Sequence, residues 1–124
     1  MTTVETNVST PDIVAVLGAG SWGTTFAKVL ADAAAATGSE RSIRIWGRRA
    51  EVVEQINSSH RNEQYLKDIE LPPSVTASTD VEKVLKDATL VVLAVPAHSL
   101  RTQLGEWKPF LARAAVVVSL RQRL

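Results

Sequence analysis

The 124-residue chain contains no cysteine. That excludes a disulfide framework, a cysteine nucleophile and any thiolate-bound metal, and it fits a cytoplasmic protein. An excess of charge of one sign is missing too. Fourteen basic residues face thirteen acidic ones, for a formal net charge of +1, so no broad field draws the chain to nucleic acid or to a membrane surface. No apolar run approaches the roughly 20 residues that span a bilayer. The first twelve residues, Met1 to Asp12, lack the basic start and apolar stretch of a signal peptide and read as a short disordered lead-in to a single domain over residues 13–124. Asp, Glu and His nowhere fall at metal-ligand spacing, so no metal is expected. Repeats, a phosphate-loop motif and a nucleophile elbow are all absent.

What is present is a sharp local pattern. Ile13-Val14-Ala15-Val16-Leu17 is an unbroken apolar run, as suits a strand covered on both faces in a parallel sheet. It leads into Gly18-Ala19-Gly20-Ser21-Trp22-Gly23, whose glycines stand at first, third and sixth place, the spacing of a dinucleotide-binding turn. Gly18 permits the tight turn, Gly20 lets a pyrophosphate approach the backbone, and Gly23 lets the following helix lie close. That helix aims unpaired N–H groups and its positive dipole end at the phosphates. Trp22 is unusual in such a turn; so large a ring must cover the ligand or pack beneath it.

Downstream, Phe26, Val29, Leu30, Ala33 and Ala34 recur at helical spacing, with a stop near Thr37-Gly38. Ile43–Trp46 reads as a second strand, and Val52, Val53 and Ile56 as the face of a second helix. Asn62 to Leu66 reads as a helical turn ahead of Pro72-Pro73. Val75–Ala77 is a weak third strand, followed by a helix with stripe Val81, Val84, Leu85 and Ala88 behind the capping-box spacing Thr79-Asp80-Val81-Glu82. Leu90–Val95 is a fourth strand stopped by Pro96, Leu100, Leu104 and Trp107 mark a further helix, and Ala114–Leu120 is a fifth strand. Strands alternating with helices predict an α/β, Rossmann-type doubly wound parallel sheet of order 3-2-1-4-5, with its ligand crevice at the C-terminal ends of strands one and four.

At the end of the second strand an acidic residue would bind the adenosine ribose and disfavour a 2′-phosphate. This chain has Trp46-Gly47-Arg48-Arg49, with no carboxylate until Glu51. Guanidinium groups hold phosphate directionally and stack on adenine, so NADP(H) is the preferred ligand and NAD(H) a second one. Arg48 is assigned to that contact; Arg49 divides evenly between it and solvating a helix start. Pro96 frees backbone groups across the crevice or simply ends a strand. His98 and His60 have no visible partner and read as structural.

These residues together carry a resemblance. Gly18-Ala19-Gly20-Ser21-Trp22-Gly23-Thr24, Ile45–Arg49, Arg61-Asn62-Glu63-Gln64-Tyr65-Leu66, Leu71-Pro72, Thr79-Asp80, Leu93–Pro96 and Val117–Leu120 resemble, in order and spacing, the bacterial NAD(P)-dependent glycerol-3-phosphate dehydrogenase family. The resemblance implies reversible conversion of dihydroxyacetone phosphate to sn-glycerol 3-phosphate with NAD(P)H, in glycerophospholipid synthesis, by a homodimer when complete. It implies cofactor contacts at Ser21, Trp22, Arg48 and Arg49, and a cofactor-side place for Tyr65. The family's strand five runs into Ser-Leu-x-Lys-Gly, and Gln122 stands here at the lysine position. The family's helical substrate domain, with its proton-donating lysine, has no counterpart in these residues. The expectation is a cofactor domain truncated after strand five, with no catalytic residue and no turnover of its own. Two other readings stay open: a stand-alone NADP(H)-binding sensing or regulatory module, and a 2-hydroxy-acid or ketopantoate type of dehydrogenase, which needs neither Trp22 nor the Tyr65 segment.

Overall fold

The computed structural model describes residues 12–38, 41–95, 97–111 and 116–119. Strands β1 (Asp12–Leu17), β2 (Arg41–Trp46), β5 (Val75–Ser78), β6 (Leu90–Leu93) and β7 (Val116–Ser119) form one sheet in the order β5-β2-β1-β6-β7. Every pairing in it is parallel. This is the expected 3-2-1-4-5 sheet. The connections are α1 (Ser21–Ala36), α2 (Ala50–Ser59), α3 (Val81–Leu85) and α4 (Ala97–Leu111), with a small β3 (Arg61–Asn62) and β4 (Leu66–Glu70) ladder after α2. Among the described residues no helix is long and apolar enough to cross a membrane.

The apolar run of β1 is explained by two cores, one on each face of the sheet. Val14 and Val16 pack with Ala27, Ala31, Ile43, Ile45, Val52 and Ile56. Their neighbours Ala15 and Leu17 point the other way, onto Val84, Leu85, Val91, Leu93 and Trp107. Alternate residues of a strand face opposite sides, so a strand covered twice has no polar position left. Each fully buried Val, Leu or Ile contributes about 1.5–3 kcal/mol of transfer free energy.

Local chemistry sets several element ends. Helix α1 stops at Thr37, whose N–H donates to the Ala33 and Ala34 carbonyls at 3.2 Å, and Gly38 follows with φ +75°. Asp80 rather than Thr79 caps α3, its carboxylate accepting from the Glu82 N–H at 3.0 Å. The apolar stripe from Val81 to Ala88 predicts more helix than forms: α3 ends at Leu85. The Arg44 guanidinium donates to the carbonyls of Lys83 and Lys86 at 3.0 and 2.7 Å, satisfying the free C-terminal acceptors of this short helix. Asn57 covers the outer edge of β5 with a reciprocal pair, Nδ2 to the Ala77 carbonyl at 2.9 Å and the Ala77 N–H to Oδ1 at 2.8 Å, which blunts an open sheet edge.

Three further expectations need correcting. Asp12, assigned to the lead-in, opens β1 opposite Arg41. The segment Asn62 to Leu66 is a tight antiparallel turn between β3 and β4, not a helical turn. His60 adopts a left-handed conformation at φ 58° that cannot continue α2, and its carbonyl accepts from Leu71 N–H at 2.7 Å, folding the chain back. The fourth strand also ends at Leu93, two residues early, because the Ala94 N–H turns to the Leu17 carbonyl at 2.9 Å.

Trp107 is 1% exposed and meets the Trp46 ring edge-on at 5.3 Å. Trp107→Ala removes that ring and its packing, and is expected to cost about 3–5 kcal/mol in denaturant unfolding. Val29→Ser, at a position 56% exposed, stays within about 0.5 kcal/mol of the parent.

Candidate functional site

The register brings Leu17 level with Trp46 on one side and with Leu93 on the other. Strand order reverses across β1, and the chain leaves β1 and β2 toward one pair of helices and β6 toward another helix. A crevice opens at such a point. Here it is a cavity of about 350 Å³ lined by Gly18, Ala19 and Gly20, by Trp46, Arg48, Arg49 and Val52, by Tyr65, and by Ala94, Val95 and Gln103. That is within the size range of small-molecule sites.

Glycine is required at two places in the turn. Gly18 has φ +132°, and a Cβ there would stand 2.5 Å from the Ala94 carbonyl oxygen. A Cβ on Gly23 would fall inside contact distance of the Gly18 carbonyl, so α1 begins directly against the end of β1. Gly20 differs: a Cβ there would meet nothing within 4 Å. Its backbone borders open cavity, as an approaching anion needs.

The turn is fixed from behind. Buried Asn62 donates from Nδ2 to the Ala19 carbonyl and to the Thr24 hydroxyl, both at 2.9 Å, and Thr24 Oγ1 reaches the same carbonyl at 3.3 Å. Ala19 Cβ in turn leaves no room for a side chain at Gly47, whose Cβ would lie 2.9 Å away. The glycine turn, the residue after β2 and the β3–β4 turn are thus one assembly. Asn62 was legible in the sequence only as part of a family pattern, since no local rule marks an asparagine 43 residues away as a clamp.

The front of the turn is open electrostatically. Helix α1 has no side-chain cap at Gly20 and no acidic residue in its first turn. Its first N–H groups have no intrahelical acceptor and carry the positive end of the dipole, an anion site by construction. Arg48 and Arg49 stand exposed on the cavity rim past the end of β2.

Of the residues expected from the sequence, Gly18, Gly20, Arg48, Arg49 and Tyr65 line the cavity together. Ser21, Trp22 and Gly23 do not. Trp22 is 45% exposed and is not packed beneath the turn. Pro96 and Gln122 lie outside the described residues, as does the side chain of His98. Ala19, Trp46, Val52, Ala94, Val95 and Gln103 join the lining without having been singled out as ligand contacts; Trp46 and Ala94 were traceable as neighbours of the flagged Gly47 and Pro96. Among the described residues no three His, Asp or Glu side chains come together as a metal site.

Comparison with known proteins gives one answer. A family model described as the N-terminus of NAD-dependent glycerol-3-phosphate dehydrogenase matches residues 13–122. The glycerol-3-phosphate dehydrogenase [NAD(P)+] of Corynebacterium jeikeium is 53% identical over 107 residues, covering 86% of this chain and 30% of that protein. The counterpart in Thermobifida fusca is 51% identical over the same shares. A solved glycerol-3-phosphate dehydrogenase from Coxiella burnetii superposes with TM-score 0.78 at 26% identity, over 92% of this chain and 33% of that one. The chain therefore spans about 30% of the length of the curated relatives it matches.

The two kinds of glycine in the turn predict opposite phenotypes. Gly23→Ala should lose about 1–3 kcal/mol of folding stability through overpacking. Gly20→Ala should melt close to the parent yet bind NADPH more weakly, its methyl group standing where phosphate approaches; thermal melts and calorimetric titration of the same two variants check both.

Proposed function

Since the chain belongs to the NAD-dependent glycerol-3-phosphate dehydrogenase family, through that family's N-terminal domain, we propose that these residues hold NADP(H), and NAD(H) less tightly, for the conversion of dihydroxyacetone phosphate to sn-glycerol 3-phosphate. The observation that carries the reading is the uncapped, acid-free start of α1 at Gly20, opening on a cavity whose opposite rim bears Arg48 and Arg49. A pyrophosphate against the turn places one nucleoside toward the end of β2, where two guanidinium groups and no carboxylate before Glu51 suit a 2′-phosphate. Arg49 fits that contact as well as Arg48, since both line the cavity. Tyr65 adds a half-exposed ring at the same rim.

A bound nicotinamide supplies or accepts the hydride in this chemistry. The chain's own part is to bind and orient: backbone N–H groups neutralise the phosphates, Gly18 and Gly23 let the turn close tightly, and Asn62 holds it in register. Orientation of this kind lowers the entropic cost of bringing hydride donor and acceptor together. Proton donation and recognition of the triose phosphate are assigned to parts of the family outside these 124 residues. The same reading has the whole enzyme as a cytoplasmic homodimer serving glycerophospholipid synthesis.

Calorimetric titration of the 124-residue chain is expected to show NADPH binding more tightly than NADH. Arg48→Ala should weaken NADPH about tenfold while changing NADH little, the loss of a charge-assisted contact. Equal affinities for the two dinucleotides in the parent, unchanged in the variant, would refute the assignment of Arg48. With NADPH and dihydroxyacetone phosphate together, this chain alone should oxidise no cofactor above background; steady absorbance at the NADPH band checks that.

A further inference from the structure

Gln103 is a buried polar side chain whose amide oxygen stands unpaired among the described residues. It is 8% exposed, lines the cavity from α4, and its Oε1 is enclosed with no hydrogen-bond partner among the described residues. A buried amide left unpaired is destabilising, so an uncompensated one in a cavity wall points to a ligand that completes it.

Its position says which part of the ligand. Trp107 lies one helical turn further along α4, and residues four apart share a helix face. Trp107 meets the ring of Trp46 at 5.3 Å, nearly perpendicular, and Trp46 is the last residue of β2. Gln103 therefore belongs to the β2 side of the cavity, the side that carries Arg48, rather than to a wall facing away from it. The indole N–H of Trp46 is already committed to the Thr79 carbonyl at 2.9 Å, so the indole of Trp46 has no donor left for a ligand. A flat, largely apolar ring with one polar edge matches this environment: its faces find Trp46 and Val95, its edge finds an amide.

We propose that Gln103 reads the hydrogen-bonding edge of the adenine ring of the dinucleotide, making it a base-selectivity residue of this site. An amide pairs with the adjacent donor and acceptor of adenine, its oxygen taking the 6-amino hydrogen and its nitrogen donating to a ring nitrogen. Oxygen and nitrogen of the side chain exchange by a half-turn of the amide, and among the described residues no partner fixes its oxygen, so the base sets the orientation. The inference rests on the cofactor reading above, and adds that the adenine half is recognised by chemistry as well as by shape.

The test uses the 124-residue chain, its Gln103→Leu and near-isosteric Gln103→Met variants, and three probes. These are NADPH, adenosine 2′,5′-bisphosphate, and the same bisphosphate with purine, lacking the 6-amino group, in place of adenine. Both variants are expected to bind NADPH and the adenosine compound about tenfold more weakly, by the same factor for each. Their ligand-free melting temperatures should be equal to or above the parent's, since an unpaired amide has been removed. The parent should prefer adenine over purine, and the variants should not. Unchanged affinities, a loss confined to NADPH, or ligand-free melting temperatures lowered in both variants would overturn the proposal while leaving dinucleotide binding intact. A parent chain that binds neither NADPH nor adenosine 2′,5′-bisphosphate would overturn the cofactor reading itself.

Discussion

The start of α1 lies so close to the end of β1 that Gly23 has no room for a side chain, and the turn out of β6 lies as close on Gly18, whose Cβ would stand 2.5 Å from the Ala94 carbonyl oxygen. This crowding of backbone on backbone is the constraint from which the rest of the site follows. It puts the positive end of a 16-residue helix directly over the C-terminal edge of the central strand, with its first N–H groups aimed outward. Because Gly20 brings no side chain to cap them, those groups are left for an anion. A helix set even one methyl group further away would need a different turn and would lose that alignment.

Holding the turn in this state takes a second contact from a distant part of the chain. Asn62 reaches the Ala19 carbonyl from the β3–β4 segment, with Thr24 bridging to the same oxygen. The carbonyl is thereby engaged by side chains of the protein. Three residues further on, Tyr65 lines the rim. A short ladder that adds little to either hydrophobic core thus couples the floor of the site to its edge, and the Gly47 contact with Ala19 draws in the arginine pair as well.

Much of this was legible before any coordinates. Strand β1 was plain because burial on both faces forces every position to be apolar, and the alternation of Val14 and Val16 with Ala15 and Leu17 between two cores is the physical cause of that run. The glycine spacing marks the turn that lines the cavity, and Arg48 lines it too. The β3–β4 turn was not legible, because its cause is a single left-handed residue, His60, where periodicity carries no signal. The length of α3 was over-read for a related reason: Ala88 is buried by its place after the helix, not by membership of it. Of the two places that its size allows Trp22, its exposure leaves the one over the ligand rather than beneath the turn. Gln103 carried no sequence signal; an amide in an amphipathic helix looks like surface until the cavity beside it is known.

Family membership supports a nicotinamide dinucleotide as ligand, and we propose that backbone N–H groups at the start of α1, not side chains, receive its phosphates. Two-dimensional NMR of the isotope-labelled chain during addition of NADPH measures this directly. The amide signals of Gly20, Ser21 and Trp22 are predicted to shift most, with those of Arg48 and Arg49 moving next. Shifts centred on α2 or the outer face of α3, with the amides of residues 20–22 unmoved, would contradict it.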